Sequence, residues 1–152
     1  MFRYGSKLAG DSSLVKDVIQ DLFLRFYEKE IDLTGHPAPD AYIIKSFRRD
    51  LIKVMQKRAS GPVPENMPVL YTPDDLLIKA ENSNAQKAQV MKMLNALSHR
   101  QREIIWLHYF EDKSYREIAD ILDVNYQSVL NNLQRAFRKI RNEFPPIDER
   151  LF

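Results

Sequence analysis

Four prolines and one glycine fall between Ala59 and Pro73, in the run Ala-Ser-Gly-Pro-Val-Pro-Glu-Asn-Met-Pro-Val-Leu-Tyr-Thr-Pro. No helix passes through such a stretch, because each proline removes a backbone donor and clashes with the preceding turn; a sheet ladder fails there for the same reason. The chain therefore divides into residues 1–58, a Pro-rich linker at 59–72, and residues 73–152. On both sides apolar residues recur at helical spacing, no run alternates strictly, and only four glycines occur in 152 residues. The pattern predicts an all-α protein of two small helical domains, the C-terminal one containing a helix-turn-helix.

A hydrophobic fraction of 44% and a charged fraction of 29% are those of a folded soluble chain. No stretch approaches the roughly 20 consecutive apolar residues that cross a bilayer, and the N-terminus lacks the basic-then-apolar order of a signal peptide. The expectation is a cytoplasmic protein with no membrane insertion. There is no cysteine, and the three histidines, His36, His99 and His108, are not spaced with carboxylates as metal ligands are, so no metal or cofactor is expected. The formal net charge of +2 says little; where the charges sit says more.

In the first part, Asp11 or Ser12 can cap a helix running to about Glu30. Its apolar stripe is Val15, Val18, Ile19, Leu22, Phe23 and Phe26, and Asp17, Gln20 and Asp21 lie on the other face. The loop from Glu30 ends at Pro37 and Pro39, residues suited to the first turn of the next helix, about Asp40 to Arg58. That helix turns Ile44, Phe47, Leu51, Val54 and Met55 inward; Phe47 is in phase with Leu51 and Met55, which makes it core rather than a stacking platform. Its outer face sets six cations, Lys45, Arg48, Arg49, Lys53, Lys57 and Arg58, against Asp50, whereas Asp11 to Thr34 holds three cations against six acids. Two successive helices thus have opposite electrostatic characters.

The second part opens on Thr72-Pro73-Asp74-Asp75, a cap followed by proline and acids in the first turn, and predicts a helix to about Leu97. Ser98 with Gln101 forms one capping box and Ser114 with Glu117 another. The helix after the first takes Ile104, Ile105, Leu107, Tyr109 and Phe110 into the core; the short one after the second takes Ile118, Ala119 and Leu122. A tight turn at Asp123-Val124-Asn125 leads to a last helix, from Tyr126 to about Phe144, stopped by Pro145-Pro146.

Ser114 to Val129 has the layout of a helix-turn-helix: a small Ala119 at the crossing lets the two helices meet steeply, and Val124 plugs the corner. In the last helix Val129, Leu133, Ala136 and Ile140 face inward. Gln127, Ser128, Asn131, Asn132, Arg135 and Arg138 are left for a DNA groove. Asn and Gln pair bidentately with adenine, Arg with guanine or phosphate.

The segment Leu97-Ser-His-Arg-Gln-Arg-Glu-Ile-Ile-Trp-Leu-His-Tyr-Phe110, this helix-turn-helix, and Leu133-Gln-Arg-Ala-Phe-Arg-Lys-Ile-Arg141 together resemble region 4 of bacterial sigma factors. Asp17-Val-Ile-Gln-Asp-Leu-Phe-Leu-Arg-Phe26 resembles region 2.2, and Ala41 to Arg58 resembles regions 2.3 and 2.4. Two such parts joined directly, with no region 3, resemble the extracytoplasmic-function (ECF) group. The resemblance implies a sigma factor that binds core RNA polymerase and directs initiation at promoter DNA. Asp17, Gln20, Asp21 and Leu24 would dock on the beta-prime clamp helices, with other core surfaces also engaged. Arg48, Arg49, Lys53, Lys57 and Arg58 would hold the -10 region, the loop from Glu30 to Pro39 would lie near an unstacked base, and the last helix would read the -35 duplex. An anti-sigma factor is a further partner the resemblance admits.

The family often has Asn at the position of Arg49 and Asp at that of Lys53, and many members have Lys at Leu130 and Arg at Asn132. Fewer cations on the last helix mean weaker phosphate attraction and more dependence on base edges. Met1 to Leu8 matches only the end of the first family helix, so two to three turns usual in the family are absent and the first domain is expected to be the less stable. Two other functions fit the same residues: a helix-turn-helix regulator that acts without polymerase, and a truncated remnant that binds partners without initiating. No nucleophile-base pair, glycine-rich phosphate loop or convergent carboxylate pair points to an enzyme.

Overall fold

The computed structural model describes residues 1–59, 69–72, 74–75 and 84–144, and among these every regular element is a helix. In order they are α1 (Phe2–Ala9), α2 (Ser12–Glu28), α3 (Pro39–Arg58), α4 (Asn84–Ala96), α5 (His99–Tyr109), α6 (Tyr115–Ile121) and α7 (Tyr126–Glu143). The centre of the linker at 60–68, the opening turns of the helix expected from Thr72, and the Pro145-Pro146 stop lie outside the described residues.

Helix ends follow local chemistry. The Asp11 carboxylate accepts from the Ser13 and Leu14 N–H groups at 3.0 and 3.1 Å and starts α2, while Gly10, at φ 66°, takes the left-handed turn that ends α1. Pro39 occupies the first turn of α3. Both capping boxes form, Ser98 with Gln101 on α5 and Ser114 with Glu117 on α6. The Asp75 carboxylate accepts from the Thr72 N–H at 2.6 Å and from its hydroxyl at 2.8 Å, so the expected cap at Thr72 is half realised.

In the N-terminal half, α1, α2 and α3 bury Tyr4, Leu8, Val15, Val18, Leu22, Ile44, Phe47 and Leu51. Gly5 permits the close crossing: a Cβ there would strike the Phe47 ring and lie 2.9 Å from Val15 Cγ1. Phe23, read as core, is 48% exposed instead. The buried stripe of α2 runs through Leu14, Val15, Val18 and Leu22, and one residue further turns the side chain about 100° off it.

In the C-terminal half, Ile104, Leu107, Ile118, Val129 and Ala136 are buried around Trp106, which stacks on Phe110 at 4.4 Å. Trp106 takes the place expected of Tyr109, which is 45% exposed. Residues 69–72, expected from the sequence to belong to a linker, are docked on the helices instead. Val69 and Tyr71 are buried, the Leu70 N–H donates to the Lys7 carbonyl at 3.2 Å, and the Tyr71 hydroxyl donates to the Arg102 carbonyl at 2.9 Å. These residues tie α1 to α5, and α3 packs directly on α6.

Candidate nucleic-acid interface

The helix-turn-helix is α6, its turn, and α7. Val124 donates its N–H to the Ala119 carbonyl at 2.9 Å and packs half-buried against the core, while Asp123 takes a left-handed φ of 55° to reverse the chain. The Asn125 side chain accepts from the Ser128 N–H at 2.7 Å and caps α7. Val129, Leu133 and Ala136 then anchor one side of α7, each large side chain stabilising by about 1.5–3 kcal/mol on full burial. The opposite side faces solvent.

On that side Gln127, Asn131, Arg135 and Arg138 are all exposed and share one face. The Gln127 amide donates to Asn131 at 3.1 Å, which sets two amide side chains side by side on the exposed face. Ser128 and Asn132 lie on the flank, half-buried, and the Asn132 amide donates back to the Ser128 carbonyl at 2.8 Å. Spacing alone had not separated these two from the open face. A feature missed from sequence stands beside them: Arg116 of α6 lies over the Tyr126 ring at 6.0 Å, setting a cation and an aromatic at the N-terminal end of α7. No spacing rule pairs residues on two helices across a turn.

The five cations assigned to the -10 region separate into two groups. Arg49, Lys53, Lys57 and Arg58 are exposed, with Arg49 Nε 3.6 Å from Asp50 and Arg58 Nη1 3.5 Å from Asp11. Arg48 is buried. Its Nε and Nη2 donate to the two Glu103 oxygens at 2.8 and 3.3 Å, and the Tyr4 hydroxyl donates to the same carboxylate at 2.7 Å. Burial, then the neighbouring Glu103 charge, pushes the Tyr4 hydroxyl far above its ordinary value. For Arg48 burial opposes the charge, but Glu103 and Tyr4 outweigh it and the guanidinium is held all the more firmly protonated. Lys45, on the same helix, reaches Asp120 of α6 at 3.1 Å. Beside this seam runs a cleft of about 760 Å³, walled by Tyr42, Lys45, Arg49 and Lys53 on one side and by Arg100 and residues 120–124 on the other.

On α2, Asp17, Gln20, Asp21 and Leu24 are all exposed, and Leu24 at 53% stands with Phe23 at 48% and Tyr27 at 83%. Exposed aromatics of this size beside carboxylates make an apolar patch with an acidic rim, a surface suited to a protein partner. Tyr27 escaped the sequence reading because it lies past the acidic cluster. In the loop before α3, the His36 ring lies 5.3 Å from Tyr42. Among the described residues no group of three or more His, Cys, Asp or Glu side chains could hold a metal ion, and no helix is long and apolar enough to cross a membrane.

A capped helix-turn-helix with a polar, cationic exposed face, behind a helix rich in cations, has the architecture of the helix-turn-helix class of DNA-binding proteins. Residues 87–140 match the family model described as Sigma-70, region 4. Over nearly its whole length the chain is similar to RNA polymerase sigma factors. It is 25% identical over 148 residues to the RNA polymerase sigma-E factor of Streptomyces avermitilis, covering 97% of this chain and 80% of that one. It is likewise 25% identical to the ECF RNA polymerase sigma factor SigL of Mycobacterium tuberculosis, covering 93% and 80%. Among solved structures, the sigma factor RpoE of Bartonella quintana, in complex with the anti-sigma factor NepR, has the same fold at a TM-score of 0.58 and 18% identity, over 95% of this chain and 91% of that one.

Proposed function

We propose that this chain is an ECF-type sigma factor: it binds core RNA polymerase and directs promoter-specific initiation by reading the -10 and -35 elements. The observation that carries this reading is the extent of the likeness. A regulator sharing only a helix-turn-helix would match in its C-terminal third, whereas 97% of this chain aligns with a sigma factor. The exposed face of α7 offers Gln127, Asn131 and Arg135 to the -35 duplex, with Ser128, Asn132 and Arg138 alongside. Arg49, Lys53, Lys57 and Arg58, joined by Arg48, serve the -10 region, where separated strands present phosphates and bases together. Asp17, Gln20, Asp21 and Leu24 form the polymerase-docking face, and the exposed Phe23 and Tyr27 extend it.

The protein itself catalyses nothing in this reading; polymerase does the chemistry, in the cytoplasm. An anti-sigma factor holds the solved relative, which supports the same class of partner here. The direct test is co-elution with core polymerase. The parent chain binds core, and Asp17→Ala combined with Gln20→Ala weakens binding about ten-fold with unchanged helicity, the loss expected of central interface contacts. Equal binding by parent and variant overturns the docking face, and no binding by the parent overturns the function.

A further inference from the structure

The cleft of about 760 Å³ has α3 on one side and Arg100 of α5 with residues 120–124 on the other. Packing fixes both walls. Ile44, Phe47 and Leu51 of α3 and Ile118, Ile121 and Leu122 behind the opposite wall belong to one continuous buried cluster. The space is therefore preformed, and its volume falls in the range of roughly 300–1,000 Å³ usual for small-molecule sites.

Five cations, Lys45, Arg48, Arg49, Lys53 and Arg100, line the cleft against two carboxylates, Asp120 and Asp123. A concavity with this excess of one sign concentrates anions. The cations are not equally committed. Arg48 is held by Glu103, and Lys45 by Asp120. Arg49 Nε stands 3.6 Å from Asp50, beyond hydrogen-bond length, and Lys53 pairs with no carboxylate among the described residues. Arg100 keeps its Nη1 buried without a hydrogen-bond acceptor, 3.7 Å from Glu103. A buried donor left without an acceptor is costly, and an anionic oxygen in the cleft would satisfy it. Arg49, Lys53 and Arg100 thus have donors to spare for a multiply charged ligand, and a guanidinium fork suits phosphate oxygens.

The same wall carries an aromatic ring. Tyr42, Lys45, Arg49 and Lys53 recur every three or four residues on one face of α3, a stripe about 16 Å long at ~1.5 Å per residue. Tyr42 lines the cleft at the head of this stripe, its ring backed by Phe26 at 6.1 Å and His36 at 5.3 Å between centroids. A flat ring followed by cations matches a ligand with a flat base at one end and phosphates at the other. We propose that this cleft is a binding site for a nucleoside polyphosphate, with the base on Tyr42 and the phosphates on Arg49, Lys53 and Arg100. The site does not depend on the sigma-factor reading. It shares Arg49 and Lys53 with the -10 assignment, so under that reading bound nucleotide and single-stranded -10 DNA compete.

Isothermal titration calorimetry of the full chain with magnesium-free ATP and, separately, GTP tests the site. At least one of them binds saturably at a single site, ten-fold or more tighter than its nucleoside or inorganic triphosphate. Arg49→Gln with Lys53→Gln, both exposed, weakens that binding about ten-fold or more. Asp123→Asn removes an exposed carboxylate from the wall and strengthens it several-fold; Asn adopts the left-handed turn at that position as readily as Asp. Tyr42→Leu weakens the nucleotide several-fold and leaves inorganic triphosphate unchanged. No saturable binding of either nucleotide, or equal affinity in the parent and in Arg49→Gln with Lys53→Gln, overturns the site. Inorganic triphosphate binding as tightly as the nucleotides means an adventitious anion patch and overturns it too. Should Tyr42→Leu fail to fold, the surface charge variants and the triphosphate comparison still decide. Displacement of the nucleotide by a -10 single-stranded oligonucleotide is a separate readout: its failure tells against the -10 assignment of Arg49 and Lys53, not against the cleft.

Discussion

Arg135 stands on the exposed face of α7, one turn beyond the paired amides of Gln127 and Asn131, with no burial to tie it to the core. Arg135→Ala therefore weakens -35 duplex binding about ten-fold, without lowering the melting temperature, and reduces the salt slope by about one if the contact is to phosphate. Fluorescence anisotropy across a salt series checks this; an unchanged isotherm at every salt contradicts it. Gly5 lies at the other extreme, with no room around it. Gly5→Ala drives a methyl into the buried Phe47 ring and against Val15, and costs about 1–3 kcal/mol in urea unfolding. Phe47 itself was legible as core, because its phase on α3 decides its side. The fate of Arg48 was not. A cation on a helix face is read as solvated by default, and its partner Glu103 is 55 residues away on a helix whose own face looked ordinary.

At the scale of elements, most of the fold was written locally. The Asp11 cap, both capping boxes, Pro39 at the start of α3 and the turn at Asp123 to Asn125 each involve residues within a few positions of one another, so helix ends fall within a residue or two of where the sequence puts them. Which apolar residue goes inside is less local. Phe23 and Tyr109 are exposed while Trp106 is buried, because the choice depends on which neighbour arrives from elsewhere in the chain. The cap of α7 offers a test at this scale. Asn125→Ala leaves the Ser128 N–H without its partner and costs about 1 kcal/mol of stability. It also frays the first turn, where Gln127 stands, and so weakens duplex binding along with stability. Amide exchange resolves the two: the first turn of α7 loses protection while the α5 amides keep theirs. Uniform loss would mean the cap acts on the whole fold.

For the molecule as a whole, the seam between the halves was invisible in the sequence, since the pairs Tyr4–Glu103, Lys45–Asp120, Arg48–Glu103 and Asp40–Lys113 join residues 55 to 99 positions apart. The buried residues of both halves also form one continuous cluster, so the lower stability expected of the first half alone has a neighbour to offset it. Acid probes the seam. The Lys113 ammonium hydrogen-bonds the Asp40 carboxylate and holds it below its ordinary value of 3.8. Burial alone would raise Asp75, but hydrogen bonds from Lys7 and Thr72 outweigh it and hold it low as well. A depressed folded value means that both groups stabilise the joined halves above the ordinary carboxylate range and lose that contribution as pH falls through their folded values. The melting temperature therefore drops between about pH 5 and pH 2, and Asp40→Asn with Asp75→Asn flattens the drop. A profile identical to the parent's contradicts the assignment.

In the proposed function, the face of α7, the cations of α3 and the acidic, aromatic face of α2 act together in one molecule that holds polymerase and promoter at once. Run-off transcription with core RNA polymerase on a genomic promoter library measures this. The chain is predicted to give discrete transcripts from a subset of promoters, absent with core alone and lost with Arg135→Ala. Tight, sequence-selective duplex binding with no transcript above core alone would contradict it.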